Sequence, residues 1–293
     1  MGMHTIRRKP AWLRTNRLAV GPEASRILNI IRSRGLHTVC TSASCPNKGT
    51  CFAEGTATFL ILGPTCTRGC AFCDVDRGVP HPPDPNEPAR VAEAAAAMDL
   101  RFVVITSVCR DDLPDEGADM FTRTIRAVRA RLPEAGIEVL VPDFSGRETL
   151  LGQVLAADPN VFNHNIETVE RLTPRIRVRA EYRRSLGVLA SAKRVAPSIP
   201  TKSGLMVGLG ENEADLDAAF ADLAEVGVER LTIGQYLQPS RSHPPVRRYV
   251  PPEDFEALAE RARDAGIPHV LSGPLVRSSY HAADFPHPLR EIR

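Results

Sequence analysis

Cys66-Thr67-Arg68-Gly69-Cys70-Ala71-Phe72-Cys73 places three thiols at C-x3-C-x2-C, shortly after an apolar run, Thr58-Phe59-Leu60-Ile61-Leu62, that reads as a strand. Three cysteines within eight residues cannot all pair with one another as disulfides. They can wrap three corners of a cubic iron–sulfur cluster and leave the fourth iron open. Tetrahedral zinc takes four protein ligands, commonly from paired C-x2-C segments or C-x2-C with histidines, and no nearby histidine completes a set here. Three unrelated buried cysteines are the remaining reading.

Upstream lies a second triplet, Cys40-Thr41-Ser42-Ala43-Ser44-Cys45-Pro46-Asn47-Lys48-Gly49-Thr50-Cys51, at C-x4-C-x5-C. Pro46 and Gly49 mark it as a loop, not a helix or strand. A loop can fold its thiolates around one metal centre, either a second iron–sulfur cluster or a zinc knot. Before it, residues 1–35 carry eight Lys or Arg against one acid, Glu23, a net +7, while the remainder carries −5. A helical pattern over 23–34 suggests an extension laid on a main domain. The basic arm is either a solvated tail or a docking arm for an acidic protein.

Downstream, after a connector with Pro80, Pro82, Pro83 and Pro85, strand-like and helix-like stretches alternate. Strands are expected over 58–62, 102–107, 137–141, 161–165, 203–207 and 230–235. Helices are expected over 88–98, 118–131, 146–156, 182–195, 213–226 and 252–265. Six βα units imply a parallel sheet with right-handed crossovers. Periodicity alone allows a flat doubly wound sheet or a curved, partly open barrel. Chemistry in such barrels sits at the C-terminal strand ends, and polar clusters fall there: Thr106–Leu113, His164–Thr168, Gly208–Glu211, Gln235–Arg241 and Gly273–His281. Gly204–Glu211 contains no G-x-G-x-x-G and is not a dinucleotide fingerprint. Glu211 is placed to cap the next helix. Glu167 suits ribose hydroxyls or an ion pair with Arg171, and His164 and His281 take rim positions.

A chain of 293 residues fits one barrel-sized domain, and 43% hydrophobic with 25% charged residues is an ordinary soluble composition. No apolar run spans a membrane and no signal peptide is evident, so a cytoplasmic location is expected. Seven cysteines then indicate metal or redox use in a reducing compartment rather than a disulfide frame. Near-neutral charge and an arm whose only aromatic is Trp12 argue against nucleic acid.

The spacing of Cys66, Cys70 and Cys73, with Phe72 just before the last, resembles the radical S-adenosylmethionine superfamily. There the open iron chelates the amino and carboxylate groups of the methionine moiety. One electron cleaves the sulfonium to give a 5′-deoxyadenosyl radical, while the protein orients the parts and excludes water. Further motifs are similar to one family within it, lipoyl synthase. They are the two triplets fifteen residues apart, T-A-T-F-L-I-L-G at 56–63, V-F-N-H-N-I-E-T at 161–168, T-K-S-G-L-M-V-G-L-G-E at 201–211, G-Q-Y-L-Q-P-S-R at 234–241 and R-S-S-Y at 277–280.

This resemblance, from about Arg8 to His281, implies a partial (β/α)6 barrel over 55–266. It also implies an auxiliary-cluster extension over 1–54 and a C-terminal segment over 267–293. It implies insertion of two sulfur atoms at C6 and C8 of an octanoyl chain amide-linked to a lysine of a lipoyl-carrier domain. Such carriers are 2-oxoacid dehydrogenase E2 and glycine cleavage H protein. Cys66, Cys70 and Cys73 would hold the catalytic [4Fe-4S] cluster. Cys40, Cys45 and Cys51 would hold an auxiliary [4Fe-4S] cluster, with Ser279 as its fourth ligand. Phe72, Asn165, Glu167, Gly208 and Glu211 would line the S-adenosyl-L-methionine. An electron donor such as ferredoxin or flavodoxin and an iron–sulfur carrier are implied partners, with no nucleic acid or membrane.

The chemistry is coherent: no side-chain base removes an unactivated methylene hydrogen, whereas a primary carbon radical does. Two positions depart from the family: Thr41 stands where Glu is usual, and Cys109 where Asp is usual. Both change charge near the expected site. A biotin-synthase-like or methylthiotransferase-like enzyme, or a non-catalytic iron–sulfur or zinc protein, are the competing readings.

Overall fold

The computed structural model describes residues 9–14, 22–42, 45, 47, 51, 57–280 and 282–284. His281 and, within the basic arm, residues 1–8 and 15–21 lie outside them. Ten strands occur among the described residues. These are β1 His37–Thr38, β2 Thr58–Ile61, β3 Thr65–Cys66, β4 Asp76–Arg77, β5 Phe102–Ser107, β6 Gly136–Leu140, β7 Val161–Asn163, β8 Thr201–Val207, β9 Arg230–Gln235 and β10 His269–Gly273. Eight form one sheet in the order β1-β2-β5-β6-β7-β8-β9-β10. Only β1 runs antiparallel, and β1 and β10 are the two edges, so the barrel is partial.

The six expected strands and six expected helices are all present. Helices Ala118–Arg131 and Tyr182–Val195 match the expected bounds to the residue. Their apolar positions recur on one face, and Phe121, Ile125 and Val128 on the first pack under the sheet. The strands alternate accordingly: Phe59, Ile61, Val103 and Ile105 face this helical layer, which turns Thr58 and Val104 toward the barrel interior. Glu87 joins the layers, its carboxylate accepting from Leu62 N at 2.8 Å. The N-terminal helix Pro22–Ser33 buries Ala24, Ile27 and Ile31 in the same core. A second core packs β8 and β9 against helices Tyr182–Val195, Glu213–Glu225 and Pro252–Asp264.

Two expectations are corrected. Cys40 sits in a short helix, Val39–Ser42, rather than in loop, because the chain turns there straight off β1. The sheet holds two more strands than the six expected. β1 is two residues long and carries no period, and β10 is only half-buried throughout. Low in the barrel interior Lys202 Nζ lies 2.9 Å from Glu138, both fully buried, and Asn163 Nδ2 donates to the same carboxylate at 2.9 Å. Among the described residues no helix is long and apolar enough to cross a membrane.

Candidate active site

The loop of three thiols leaves the barrel rim beyond β2 and is pinned on every side. β3 and β4 pair in parallel across its base, and Gly78 N donates to Cys66 O at 3.2 Å. Thr67 donates through N and Oγ1 to Cys109 O at 3.1 and 3.0 Å. Arg68 is 4% exposed. Its guanidinium lies 2.6 Å from Asp111 and 2.7 Å from Asp143, which fastens the loop to the ends of β5 and β6. Ala71 N donates to Ile176 O at 2.9 Å, and His243 Nε2 lies 3.1 Å from Cys73 O. Phe72 packs against the β8–β9 core.

The thiols differ in acidity. A hydrogen bond from Cys109 brings the Cys66 thiol down to about 5. Burial pushes Cys70 up to about 11 and Cys73 up to about 12. Desolvated thiols without a cation keep their protons, and metal binding releases them.

Beside this loop, the segment after β7 brings His164, Asn165 and Glu167 to the rim. Asn165 Nδ2 donates to Glu167 Oε1 at 2.9 Å. Glu167 takes a φ of 63° and is locked to β8 on both sides, its N donating to Gly204 O and its O accepting from Met206 N. Burial raises its carboxyl. It makes no pair with Arg171, which instead lies 2.6 Å from Asp215. His164 Nδ1 donates to Val141 O at 2.9 Å, and burial lowers its imidazole to about 4. His164 Nε2 and Asn165 Oδ1 are buried with no hydrogen-bond partner. Unpaired buried polar atoms are rare and costly, so two at one rim fit a polar ligand such as S-adenosylmethionine.

Glu211 does otherwise than the capping reading expects. Glu211 turns onto its own loop and accepts from Gly208 N, Leu209 N and Gly210 N at 2.5, 2.9 and 3.0 Å. It does not cap the next helix; Asn212 does, in a capping box with Asp215. Gly208 has a φ of 98°, and a Cβ there would meet Gln235 Nε2 at 2.2 Å. Both residues shape the loop that borders the rim.

The second triplet faces a different space. A cavity of about 170 Å³ is lined by Cys40, Cys45, Cys51 and Ser279, with Thr58 and Val104 behind them. Ser279 comes from 228 residues beyond Cys51. Asn47 Nδ2 ties the two segments by donating to Leu275 O at 2.7 Å. Val276 O approaches β9 so closely that a Cβ on Gly234 would lie 2.1 Å away. Burial pushes Cys40 up to about 12. Among the described residues no three His, Cys, Asp or Glu side chains gather closely enough for one metal ion. A four-iron cube takes its thiolates at separate corners.

The description "Radical SAM superfamily" matches residues 60–223. A lipoyl synthase of Methylococcus capsulatus is 56% identical over 276 residues, covering 94% of this chain and 85% of that one. The chain belongs to the lipoyl synthase family. A "Lipoyl synthase 2" of Thermosynechococcus vestitus is 52% identical, with 94% and 97% of the two chains covered. Among solved structures, HydG, a maturase of the [FeFe]-hydrogenase, superposes with a TM-score of 0.56 at 13% identity, covering 84% of this chain and 62% of that one. Streptococcus suis SuiB bound to S-adenosylmethionine gives 0.54 at 12% identity, covering 74% and 51%. These two share the fold alone. As a radical SAM member, this lipoyl synthase homologue is a sulfurtransferase that uses a [4Fe-4S] cluster and S-adenosylmethionine.

Arg68, Asp143, His243 and Asn47 escaped the sequence reading. Asp143 had a signal: it is a lone acid just past the third expected strand, in Val141-Pro142-Asp143-Phe144. The others hold backbone carbonyls or distant carboxylates, which no local pattern encodes.

Proposed function

We propose that this chain performs the lipoyl synthase reaction, placing sulfur at C6 and C8 of an octanoyl chain on a lipoyl-carrier protein. Cys66, Cys70 and Cys73 hold the catalytic cluster, and Cys40, Cys45, Cys51 and Ser279 hold a second, sacrificial one. The single observation that carries the reading is the shared cavity of Ser279 and the three upstream thiols. When bound, the catalytic cluster and S-adenosylmethionine supply an electron and a carbon radical able to take a hydrogen atom from a methylene carbon.

The chain's own residues do the rest. Arg68, held by Asp111 and Asp143, fixes the cluster loop to the rim. Asn165 and Glu167 offer acceptors to ribose hydroxyls, and His164 Nε2 offers a third polar contact. The interior face of β2 and β5 keeps the cavity apolar on one side through Val104 and Phe102. Ser279 presents an oxygen, a harder ligand than thiolate for this iron, so the iron it holds is released more readily. The division at 1–54, 55–266 and 267–293 follows from the same reading, although β10 within the last segment extends the main sheet. Carrier choice among 2-oxoacid dehydrogenase and glycine cleavage proteins belongs to this proposal as well.

Ser279→Ala tests it. Anaerobic protein should still cleave S-adenosylmethionine to 5′-deoxyadenosine but leave an octanoylated carrier peptide without sulfur, read by mass spectrometry. Insertion at near wild-type rate would refute the ligand role. Wild-type protein should hold about eight iron with matching acid-labile sulfide; zinc without sulfide would favour the non-catalytic binding protein.

A further inference from the structure

Cys109 is a thiol that the proposed chemistry does not use, standing beside the cluster loop where Asp is usual in the family. Thr67 N and Thr67 Oγ1 donate to Cys109 O at 3.1 and 3.0 Å. The Thr67 amide is the one that follows Cys66, so a single hydrogen bond ties the backbones of the two cysteines together. Cys66 is fixed from the other side as well: β3 pairs with β4, and Cys66 O accepts from Gly78 N at 3.2 Å. Beyond Cys109, Arg110 is 2% exposed and lies 2.8 Å from Asp112. Between these anchored backbones the Cys109 thiol donates to the Cys66 sulfur.

A four-iron cube takes its thiolates at separate corners, and two thiols in hydrogen-bond contact are closer than two corners. Cys109 is therefore an outer neighbour of Cys66, not a fourth ligand of the same cube. A disulfide forms only where two cysteine backbones already lie close and the side chains point together. This pair meets both conditions, and closure within a fixed site avoids the entropy cost of a bimolecular encounter. Both thiols are free and only partly exposed, a setting open to a small oxidant.

We propose that Cys66 and Cys109 form a peroxide-responsive disulfide that closes the catalytic loop to iron when its cluster is absent. The consequence for iron rests on the assignment of Cys66 to that cluster; the bond itself does not. Hydrogen peroxide oxidises one thiol to a sulfenic acid, its O–O bond breaking and one water leaving. The second thiol attacks that sulfur, forms the S–S bond and releases a second water. Two electrons pass from the thiol pair to one peroxide, and both thiol protons end in water. Cys66 held in the disulfide cannot ligate iron, and a dithiol reductant reopens the loop by exchange. Without Cys109 the sulfenic acid goes on to sulfinic acid, which thiols do not reverse. The family's usual Asp has no sulfur for this bond.

The test uses the full chain, stripped of iron and handled anaerobically. One equivalent of hydrogen peroxide is added and free thiols are alkylated. Trypsin then releases Cys66 in 49–68, Cys70 and Cys73 in 69–77 and Cys109 in 102–110. Mass spectrometry should find at least half of Cys109 crosslinked between 102–110 and 49–68, with fragmentation placing the bond on Cys66 rather than Cys51. Unlinked Cys109, or a Cys70–Cys73 bond in its place, overturns the proposal. Reconstitution with iron and sulfide gives a second readout. Uptake should fall from about eight to about four iron per chain in oxidised wild type and return after dithiothreitol. Untreated Cys109→Ser should take up iron as wild type does, yet after the same oxidation dithiothreitol should restore less than half of what it lost. Full recovery by Cys109→Ser would overturn the protective closure. A Cys66–Cys109 bond that leaves iron uptake unchanged would instead remove Cys66 from the cluster, and the closure to iron with it.

Discussion

His164 shows how one buried group reports on the site. Its Nδ1 donates to Val141 O, which fixes the neutral tautomer and leaves Nε2 as an unpaired acceptor. Burial lowers the ring to about 4, against about 6.5 in an unfolded chain. The depressed value means that the unfolded chain binds the proton first. Stability is therefore fully present above about pH 6.5 and is lost as pH falls toward 4. Unfolding by urea at pH 7.5 and pH 4.5 should show wild type losing roughly 2–3 kcal/mol more than His164→Gln across that interval. Equal losses would mean that the ring is solvated in the folded protein. The sequence places His164 at the rim, and the Val141 contact gives its ring a structural hydrogen bond there. That its second nitrogen lacks a partner depends on what the surrounding strands bring near it.

At the scale of an element, the loop Gly208–Glu211 is the clearest case. Its sequence, Gly208-Leu209-Gly210-Glu211, reads as a flexible stretch with an acid beside a helix. The acid instead gathers three N–H groups of its own loop, and the capping role passes to Asn212. Glu211→Ala frees those donors at a cost of about 1–3 kcal/mol. Thermal stability should fall, and binding of S-adenosylmethionine to the anaerobic holoprotein should weaken several-fold as the loop loses its shape. Glu211→Gln keeps acceptor oxygen and should recover part of both. An alanine variant with unchanged affinity would detach this loop from the cofactor rim. Long amphipathic helices such as Ala118–Arg131 were legible because every turn repeats the same apolar face. Edge strands such as β1 and β10 were not, since a strand that is short or half-exposed leaves little pattern.

For the molecule as a whole, the barrel interior carries a charge pair at its base. Glu138 and Lys202 come from β6 and β8 and meet with neither exposed to solvent. Asn163 of the intervening β7 completes the contact. Such a pair contributes little net stability, but losing one partner strands the other. Lys202→Met should destabilise the protein by about 3–5 kcal/mol. Glu138→Leu/Lys202→Met should recover most of that, as read from urea unfolding. A double variant as unstable as the single would assign the loss to packing rather than to the stranded carboxylate.

The sequence by itself determined the order of βα units, the two groups of three thiols and the rim on which polar residues would gather. These follow from local spacing: apolar periodicity sets an element, and thiols within one short loop need no fold to be near one another. Only the tertiary structure decided that Ser279 lines one cavity with Cys40, Cys45 and Cys51 and that Arg68 is bridged by Asp111 and Asp143. Each of those facts depends on residues far apart in the chain. A parallel sheet delivers such residues to one rim from successive strand ends, and nothing in their local sequence records which neighbours they will find.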